Sequence, residues 1–340
     1  MSRPLLKKVW LLFCVIMLSA SSVSATVTFD WALIGNTGNT ADTQVMSTDS
    51  TTGYGSVGYE YKIATTEVTT AQYVEFLNAV AGVDTYGLYN TNMANHTYYK
   101  GISISSGSGT QVDPYTYVAN AGWGNRPVVS VSWYDTLRFA NWMHNGQLSG
   151  AQDATTTEDG AYTFSGATSV SARNAGAAYW LPSEDEWYKA AYYDPTKGET
   201  GGYWDYATQT DSPDTPVAGV DANYQVGADY VDPTYYSTPV GIYSNDSYYG
   251  TYDQSGNAWE WNETLIGSNR GIRGGAWSYH APYMLSSCRL NDNPSSEYNS
   301  LGFRIASTTI EGDGGTVPEP ASVALILLSV SGLLLRRTIR

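Results

Sequence analysis

The chain has 340 residues, with 32 acidic and 17 basic side chains, 34 glycines, 29 tyrosines and 11 tryptophans. Residues 26–316 carry 31 of the acidic and 11 of the basic residues, a net charge of −20. Such a surface repels nucleic acid and anionic lipid, so the composition excludes proteins that bind either through charge.

The first 25 residues, MSRPLLKKVWLLFCVIMLSASSVSA, have the features of a secretory signal peptide. Arg3, Lys7 and Lys8 form a basic head, an apolar stretch follows, and Val23 and Ala25 suit a cleavage site for small residues. The apolar stretch is too short to favour a retained membrane span. Residues 1–25 are therefore predicted to direct export through the Sec route and to be removed.

Three helices are predicted from capping boxes, in which a Ser or Thr side chain and an acid or amide three residues later satisfy each other's backbone N–H groups. The pairs are Thr69/Gln72, Ser132/Asp135 and Ser183/Glu186. Apolar residues at helical spacing follow each pair: Tyr73, Phe76, Leu77 and Val80; Leu137, Ala140 and Met143; Trp187, Ala190 and Ala191.

The rest of the chain is predicted to form short strands joined by Gly, Asn and Asp turns. The alternation in RPVVSVSW, residues 126–133, favours a short strand that leads into the second helix. Residues 146–178 are rich in Ala, Thr, Ser and Gly and are predicted to be an inserted loop, and residues 311–316 a linker.

One cysteine remains after removal of the signal peptide. Cys14 leaves with that segment, so Cys288 has no partner for a disulfide within the chain. A lone cysteine is most often a small buried apolar residue, and this interpretation is preferred for Cys288. His96 and His144 have no spacing typical of a zinc site.

The C-terminus carries a second export feature. Val317-Pro318-Glu319-Pro320 precedes the uncharged apolar run 321–335, and three arginines follow that run. Residues 317–340 resemble the PEP-CTERM sorting signal of Gram-negative bacteria, with a short transmembrane segment. The resemblance implies recognition by exosortase and a globular part that is transiently anchored outside the cell, at the envelope surface or released.

Six motifs in order resemble the sulfatase-modifying-factor domain of formylglycine-generating enzyme. They are YKIATTEVTTAQYVEFLNAV (61–80), NRPVVSVSWYDTLRFANWM (125–143), YWLPSEDEWYKAAYY (179–193), GNAWEW (256–261), RGGAW (273–277) and LGFRIA (301–306). The match covers roughly residues 30–308. It implies an α+β fold of the C-type-lectin-like kind, loop-rich with few helices and short strands, as a single domain over residues 26–310.

The family's chemistry depends on two cysteines that hold Cu(I) and lie five residues apart after the GG motif. Thiolates serve because they are soft ligands that select Cu(I). The matching positions here are Tyr279 and Met284, and the family serine after the first glycine is Ala276. Copper is therefore not expected, and no confident catalytic residue is assigned. Cys288 and His280 remain weak candidates.

His280, Met284 and Cys288 are spaced i, i+4 and i+8, and on a helix they would share a face that could hold copper. Pro282 within the run argues against such a helix, and a coincidence is the preferred interpretation. A mononuclear metal at His280, supporting a different oxidation, is the weakest alternative.

The resemblance also implies structural calcium, which takes six to eight oxygen ligands from flexible loops. The matching positions of one family site are the side chains of Asp253 and Glu260 and the carbonyls of Gly256 and Ala258. A weaker second set comprises Asn223, Asp232 and the carbonyls of Tyr224 and Thr234. The alternative for Glu260 is a buried carboxylate bonded within the protein. Arg126 and Arg304 are predicted to be buried structural cations.

Two functions follow as expectations. The preferred one is an exported, surface-sorted family member that lacks the Cu(I) oxidase site and binds an envelope protein or glycan. Paired tyrosines at 98–99, 192–193, 235–236 and 248–249 favour binding loops, although pairs in strands also place one ring inside and one outside. The alternative is a formylglycine-generating oxidase that converts a sulfatase cysteine with O2 and copper.

Overall fold

The computed structural model describes residues 26–212 and 214–308. The predicted signal peptide, the linker and the C-terminal sorting segment lie outside these residues. Within the described residues, no helix is both long enough and apolar enough to cross a membrane.

Four short helices and twelve short strands make up the regular structure of the described residues. The helices are α1 Thr70–Val80, α2 Asn92–Asn95, α3 Trp133–His144 and α4 Glu184–Tyr192, with one 3₁₀ turn at Ala281–Met284. The strands are β1 Trp31–Ile34, β2 Tyr61–Ala64, β3 Ile102–Ser106, β4 Thr116–Ala119, β5 Tyr179–Trp180, β6 Tyr193–Asp194, β7 Gly202–Tyr203, β8 Trp259–Ile266, β9 Asn269–Arg273, β10 Leu290–Asp292, β11 Leu301–Gly302 and β12 Ala306–Ser307. The predicted α+β class with few helices is confirmed.

The three predicted capping boxes are confirmed. Thr69, Ser132 and Ser183 each accept from the backbone N–H three residues on, and each receives the reciprocal bond. Every apolar residue predicted to face the core from these helices is buried. The one-turn helix α2 was not predicted, because it has no side-chain cap and buries only Met93.

Two four-stranded sheets organise the strands. One has the order β1-β2-β12-β5 and joins the two ends of the described chain. The other has the order β10-β9-β8-β11, in which β11 runs parallel to β8 and the other pairs are antiparallel. Aromatic rings from α1, α3 and the segment before β12 fill the core between them, among them Tyr73, Phe76, Phe139, Trp142 and Phe303.

The strand predicted for residues 126–133 is wrong. Ser130 has a φ of 63°, which interrupts an extended strand. The neighbouring backbone groups bond to two separate segments, from Val128 N to Val68 O and from Ser130 N to Tyr298 O. The segment is buried all the same, so the apolar alternation reflected burial rather than pairing in a sheet.

The loop 146–178 has little regular structure but is well anchored. Arg138 on α3 pairs with Glu158 at 2.7 Å, and Tyr162 and Phe164 are buried in the core. Arg173 pairs with Glu186 and Glu263, which fixes the end of the loop to α4 and β8. This loop therefore forms a fixed wall against the β8–β9 hairpin.

Candidate functional site

The loop that follows β9 needs two glycines. Gly274 and Gly275 have φ values of 100° and 76°, a conformation that side chains rarely adopt. A Cβ on Gly275 would lie 2.8 Å from Met284 Cγ. The glycines therefore let the chain turn closely over the segment that carries Tyr279, Met284 and Cys288.

Tyr279, at the first family cysteine position, belongs to a stack of aromatic rings. Its ring centroid lies 5.3 Å from that of Trp259 and 5.0 Å from that of Tyr283. Trp259 is buried, Tyr279 is half-buried and Tyr283 is 40% exposed. We call these three residues the Tyr279 stack; it runs from the core to the surface.

Met284, at the second family cysteine position, is fully buried. It ends the 3₁₀ turn and packs in a small cluster with Tyr206, Ala222 and Tyr224. A thioether is a softer ligand than oxygen, but here apolar side chains surround it. Its role in this structure is packing.

Cys288 is buried in the main core, with 5% of its surface exposed. Its backbone carbonyl accepts a hydrogen bond from Arg273 at 3.1 Å. Burial raises the pKa of its thiol to about 11. The group is therefore a neutral thiol near pH 7, whereas both nucleophiles and copper ligands are thiolates.

His280, Met284 and Cys288 do not share a helix. The only helical structure in this run is the single 3₁₀ turn Ala281–Met284, and His280 is exposed with Nδ1 2.9 Å from Gln225 O. His144 Nδ1 accepts from the Ala178 N–H, and burial lowers the pKa of His144. Among residues 26–212 and 214–308, no three His, Cys, Asp or Glu side chains are grouped so as to hold a metal ion.

In the first predicted calcium set, Glu260 is already paired. Both its oxygens accept from the Arg304 guanidinium, at 2.6 and 2.7 Å, and Trp187 Nε1 donates to it at 2.7 Å. Asp253 accepts from Gly241 N at 2.7 Å through Oδ2, while its Oδ1 is buried without a donor. Asp253 Oδ1 is free to take an ion, but both oxygens of Glu260 are already taken, so this set does not fit calcium as a whole. Arg304 is the buried structural cation that was predicted.

The second set shows the same feature. Asn223 Oδ1 is buried without a donor, as an ion ligand would be. Asp232 Oδ2, however, pairs with Arg126 Nη2 at 3.0 Å, and its Oδ1 accepts from the N–H groups of Thr234 and Tyr235. An arginine therefore pairs with one carboxylate of each set, and neither set as a whole fits a calcium ion.

An amide network joins the loops that contain the two sets. Asn257 is fully buried with a φ of 61°. Its side-chain oxygen accepts from Thr238 N and from Asn223 Nδ2, at 2.9 and 3.1 Å. Its side-chain nitrogen donates to Glu67 Oε1 at 3.1 Å. These bonds cross-link the loops through the protein itself.

Glu67 completes a buried acidic centre to which sequence reasoning gave no role. Its Oε2 has no donor, and burial followed by the charge of Asp253 raises its pKa well above the usual range. Burial likewise raises the pKa of Asp253 to about 6. Arg304 is thus a cation that faces Glu67, Asp253 and Glu260 together. One proton held between Glu67 and Asp253 would satisfy both unpaired oxygens.

A second group of rings lies at the RGGAW loop. Tyr236 and Trp277 have ring centroids 5.0 Å apart. Tyr98 contacts both, at 4.8 and 5.7 Å, and Tyr230 contacts both, at 5.1 and 5.6 Å. We call these four residues the aromatic patch; Tyr98 is 39% exposed and Trp277 is nearly buried. The tyrosine pairs and the motif tryptophan were visible in the sequence, but nothing in it brings residues 98, 230 and 277 together.

A comparison with protein-family profiles matches residues 41–309 to the sulfatase-modifying factor enzyme 1-like domain. The chain belongs to the sulfatase-modifying factor family. The match covers most of the chain and all six motifs. No curated protein sequence matches it.

Solved structures show that this family member has the family's C-type-lectin-like fold. Treponema denticola variable protein 1 is 19% identical with a TM-score of 0.51, over 84% of this chain and 97% of its own. PvdO from Pseudomonas aeruginosa is 17% identical with a TM-score of 0.50, over 82% of this chain and 94% of its own. At these identities the likeness establishes the fold alone.

In this member of the sulfatase-modifying factor family, the region around the GG motif offers aromatic surface. Of the three residues predicted to match the family's copper site, Tyr279 lies in the Tyr279 stack, Met284 packs in a small buried cluster and Ala276 is buried. Large rings with polar tips provide contact area at a low cost in conformational entropy. These exposed and half-buried rings are suited to contact with a ligand.

Proposed function

We propose that the chain is an exported, surface-sorted member of the family that binds a ligand instead of oxidising a cysteine. The observation that carries the proposal is the Tyr279 stack. At the position where the family places its first copper cysteine, a half-buried tyrosine links buried Trp259 to exposed Tyr283. In this proposal, the two soft copper ligands of the family are replaced by a tyrosine of the stack and by the buried Met284.

The aromatic patch supports the same proposal. Trp277 belongs to it and lies two residues before Tyr279, so each ring group includes at least one residue of the segment 277–283. Aromatic residues dominate the energetics of binding surfaces, because they bury much area with few rotatable bonds. The proposed partner is an envelope protein or a glycan. The net charge of −20 on residues 26–316 argues against nucleic acid.

The termini supply the proposed location. Residues 1–25 would direct export, and residues 317–340 would anchor the protein until exosortase processes it. This places the domain at the envelope surface of a Gram-negative bacterium or outside it. An oxidase that must reach sulfatases before they fold would arrive there too late.

Binding is tested with an array of envelope glycans and, separately, with immobilised envelope proteins. The double variant Tyr98→Ser/Tyr230→Ser should lose most of the binding, since it removes both flanks of the aromatic patch. Tyr298→Ser is the matched control, because Tyr298 is 54% exposed and outside both ring groups. Binding that is equal in both variants would contradict the proposal for this patch.

The family match favours one alternative, a formylglycine-generating oxidase, whose cysteine chemistry would require copper. The purified chain, loaded with Cu(I), is mixed in air with a Cys-x-Pro-x-Arg peptide, and mass spectrometry follows the peptide cysteine. Conversion to the aldehyde that is lost in Cys288→Ser would replace the binding proposal with the oxidase. We expect no conversion, because the Cys288 thiol is buried and neutral.

A further inference from the structure

A pocket of about 350 Å³ lies between the loop 146–178 and the β8–β9 hairpin. Its walls are mostly aromatic and apolar, with Trp133, Tyr162, Val170 and Leu265 among them. Leu265 lies six residues along β8 from Trp259, a separation of roughly 20 Å at 3.3 Å per residue. The pocket is therefore distinct from the Tyr279 stack at the other end of that strand.

Arg270 in this pocket differs from every other arginine of residues 26–212 and 214–308. The other six each lie within 4 Å of a carboxylate: Arg126, Arg138, Arg173, Arg273, Arg289 and Arg304. Arg270 forms no such ion pair within the described chain, although residues 26–316 carry 31 acidic and only 11 basic side chains. An arginine is left without a carboxylate in a pocket of a strongly acidic protein.

The packing of Arg270 leaves one edge of its guanidinium free to bind a ligand. Its guanidinium carbon lies over the Trp133 ring, 3.8 Å from the centroid, and Nη1 donates to Glu263 O at 2.7 Å. Nε and Nη2 have no acceptor among the described residues. Stacking on an indole fixes the plane of a guanidinium while its in-plane N–H groups stay free for a carboxylate.

Glu263, the acidic residue of the pocket lining, does not form an ion pair with Arg270. The Glu263 carboxylate accepts from the Tyr162 hydroxyl at 2.5 Å and from Arg173 at 2.9 Å. A β-bulge between Trp261 and Leu265 lies at this point, and bulges change the direction of side chains. Arg173 is thus paired with both Glu263 and Glu186, and Arg270 is left without a carboxylate of its own among the described residues.

We propose that this pocket binds a small carboxylate with an apolar body, of the arylalkanoate class. The ligand carboxylate would accept from Nε and Nη2 of Arg270, and its body would pack against Tyr162, Val170 and Leu265. A sugar acid fits less well, because the Ser171 hydroxyl in the lining already donates to Ala172 O at 2.7 Å. The ligand is thus recognised by charge at one end and by apolar contact at the other.

The test titrates the purified full chain with 3-phenylpropionate, with ligand-observed NMR as the readout, and with 3-phenylpropanamide as the neutral analogue. The acid should bind about tenfold or more tighter than the amide, as expected for hydrogen bonds to a charged group. Arg270→Gln should abolish that preference. Lys100→Gln removes one positive charge from an exposed site and should leave binding unchanged.

A second variant covers the case in which Arg270→Gln fails to fold. Leu265 is 60% exposed, so Leu265→Glu places an anion at the pocket without disturbing the core, and it should weaken binding of the acid by about tenfold. Equal binding of acid and amide, tighter binding of glucuronate than of 3-phenylpropionate, or no binding by the folded wild type would each overturn the proposal.

Discussion

Two buried networks of charged side chains differ in their balance of acids and bases. In the first, Arg304 faces Glu260, Glu67 and Asp253, three acids for one cation. In the second, Glu184 lies between Arg273 and Arg289, with Asp49 at the outer end. Burial raises the pKa of both Glu67 and Asp253 in the first network, which favours a bound proton there, whereas the second network has two acidic and two basic groups. The effect of pH on the stability of a buried network is therefore determined by its ratio of acidic to basic groups, and not by how deeply it is buried.

The largest difference in stability between the two networks is expected when an arginine is removed from each. Arg304→Leu leaves three buried carboxylates without a counter-charge, and a loss of about 3–5 kcal/mol in the free energy of unfolding is expected at pH 7. Arg289→Gln should cost less, because Glu184 keeps Arg273 at 2.7 Å. Urea unfolding of both variants measures the difference. Equal losses would show that the two networks respond alike.

The next effect concerns pH. Burial raises the folded-state pKa of Asp253 from its ordinary value of 3.8 to about 6. At pH values between these two pKa values, the folded protein therefore binds more protons than the unfolded chain. Stability from this group is complete below about pH 4 and is lost as pH rises through about 6. Glu67 acts with the same sign, since its pKa is also raised.

Glu67→Gln should remove part of this pH dependence. The amide can donate to Asp253 Oδ1 without a bound proton and can keep the bond from Asn257 through its oxygen. We expect the variant to exceed the wild type in stability at pH 8 and to match it near pH 5, as measured by urea unfolding at both values. The exposed Glu199→Gln is the control. Parallel curves for wild type and Glu67→Gln would rule out a shared proton.

The first network also contains contacts that could not be predicted from the sequence. Capping boxes and helical apolar spacing act over three or four residues, so α1, α3 and α4 could be predicted with their buried faces. Asn257 and Glu67 meet across 190 positions of chain, and no local pattern encodes that contact. Family motifs located Glu260 but not its pairing with Arg304, because a motif gives positions and not distances.

In the candidate site too, some features could be predicted from the sequence and others appear only in the folded structure. The family resemblance singled out Tyr279 and Met284, the sequence itself showed a lone Cys288, and the expected burial of Cys288 is confirmed. Tyr98 and Tyr230 reach Trp277 only through tertiary folding. The strand predicted around Ser130 was wrong because apolar alternation cannot distinguish a paired strand from a buried irregular segment.

A smaller effect is expected at Cys288, which touches the second network through its backbone carbonyl alone. Cys288→Ala keeps that carbonyl and removes one buried sulfur, so a loss of about 1 kcal/mol is expected. Native protein at pH 8 should react slowly with a thiol reagent, since burial raises the pKa of the thiol to about 11. Rapid labelling of native protein, or a loss as large as that of Arg304→Leu, would show that the thiol takes part in the network.

The smallest effect should come from removing calcium. If arginines and Asn257 hold the loops of both calcium sets, a chelator should leave the melting temperature within about 1 °C, because an ion that does not bind the folded state cannot stabilise it. Melting with EGTA and with added calcium measures this directly. A rise of several degrees with calcium, lost in Asn223→Ala, would mean that the ion displaces the Arg126 pairing with Asp232. The first network should still show no response, because Arg304 already occupies both oxygens of Glu260.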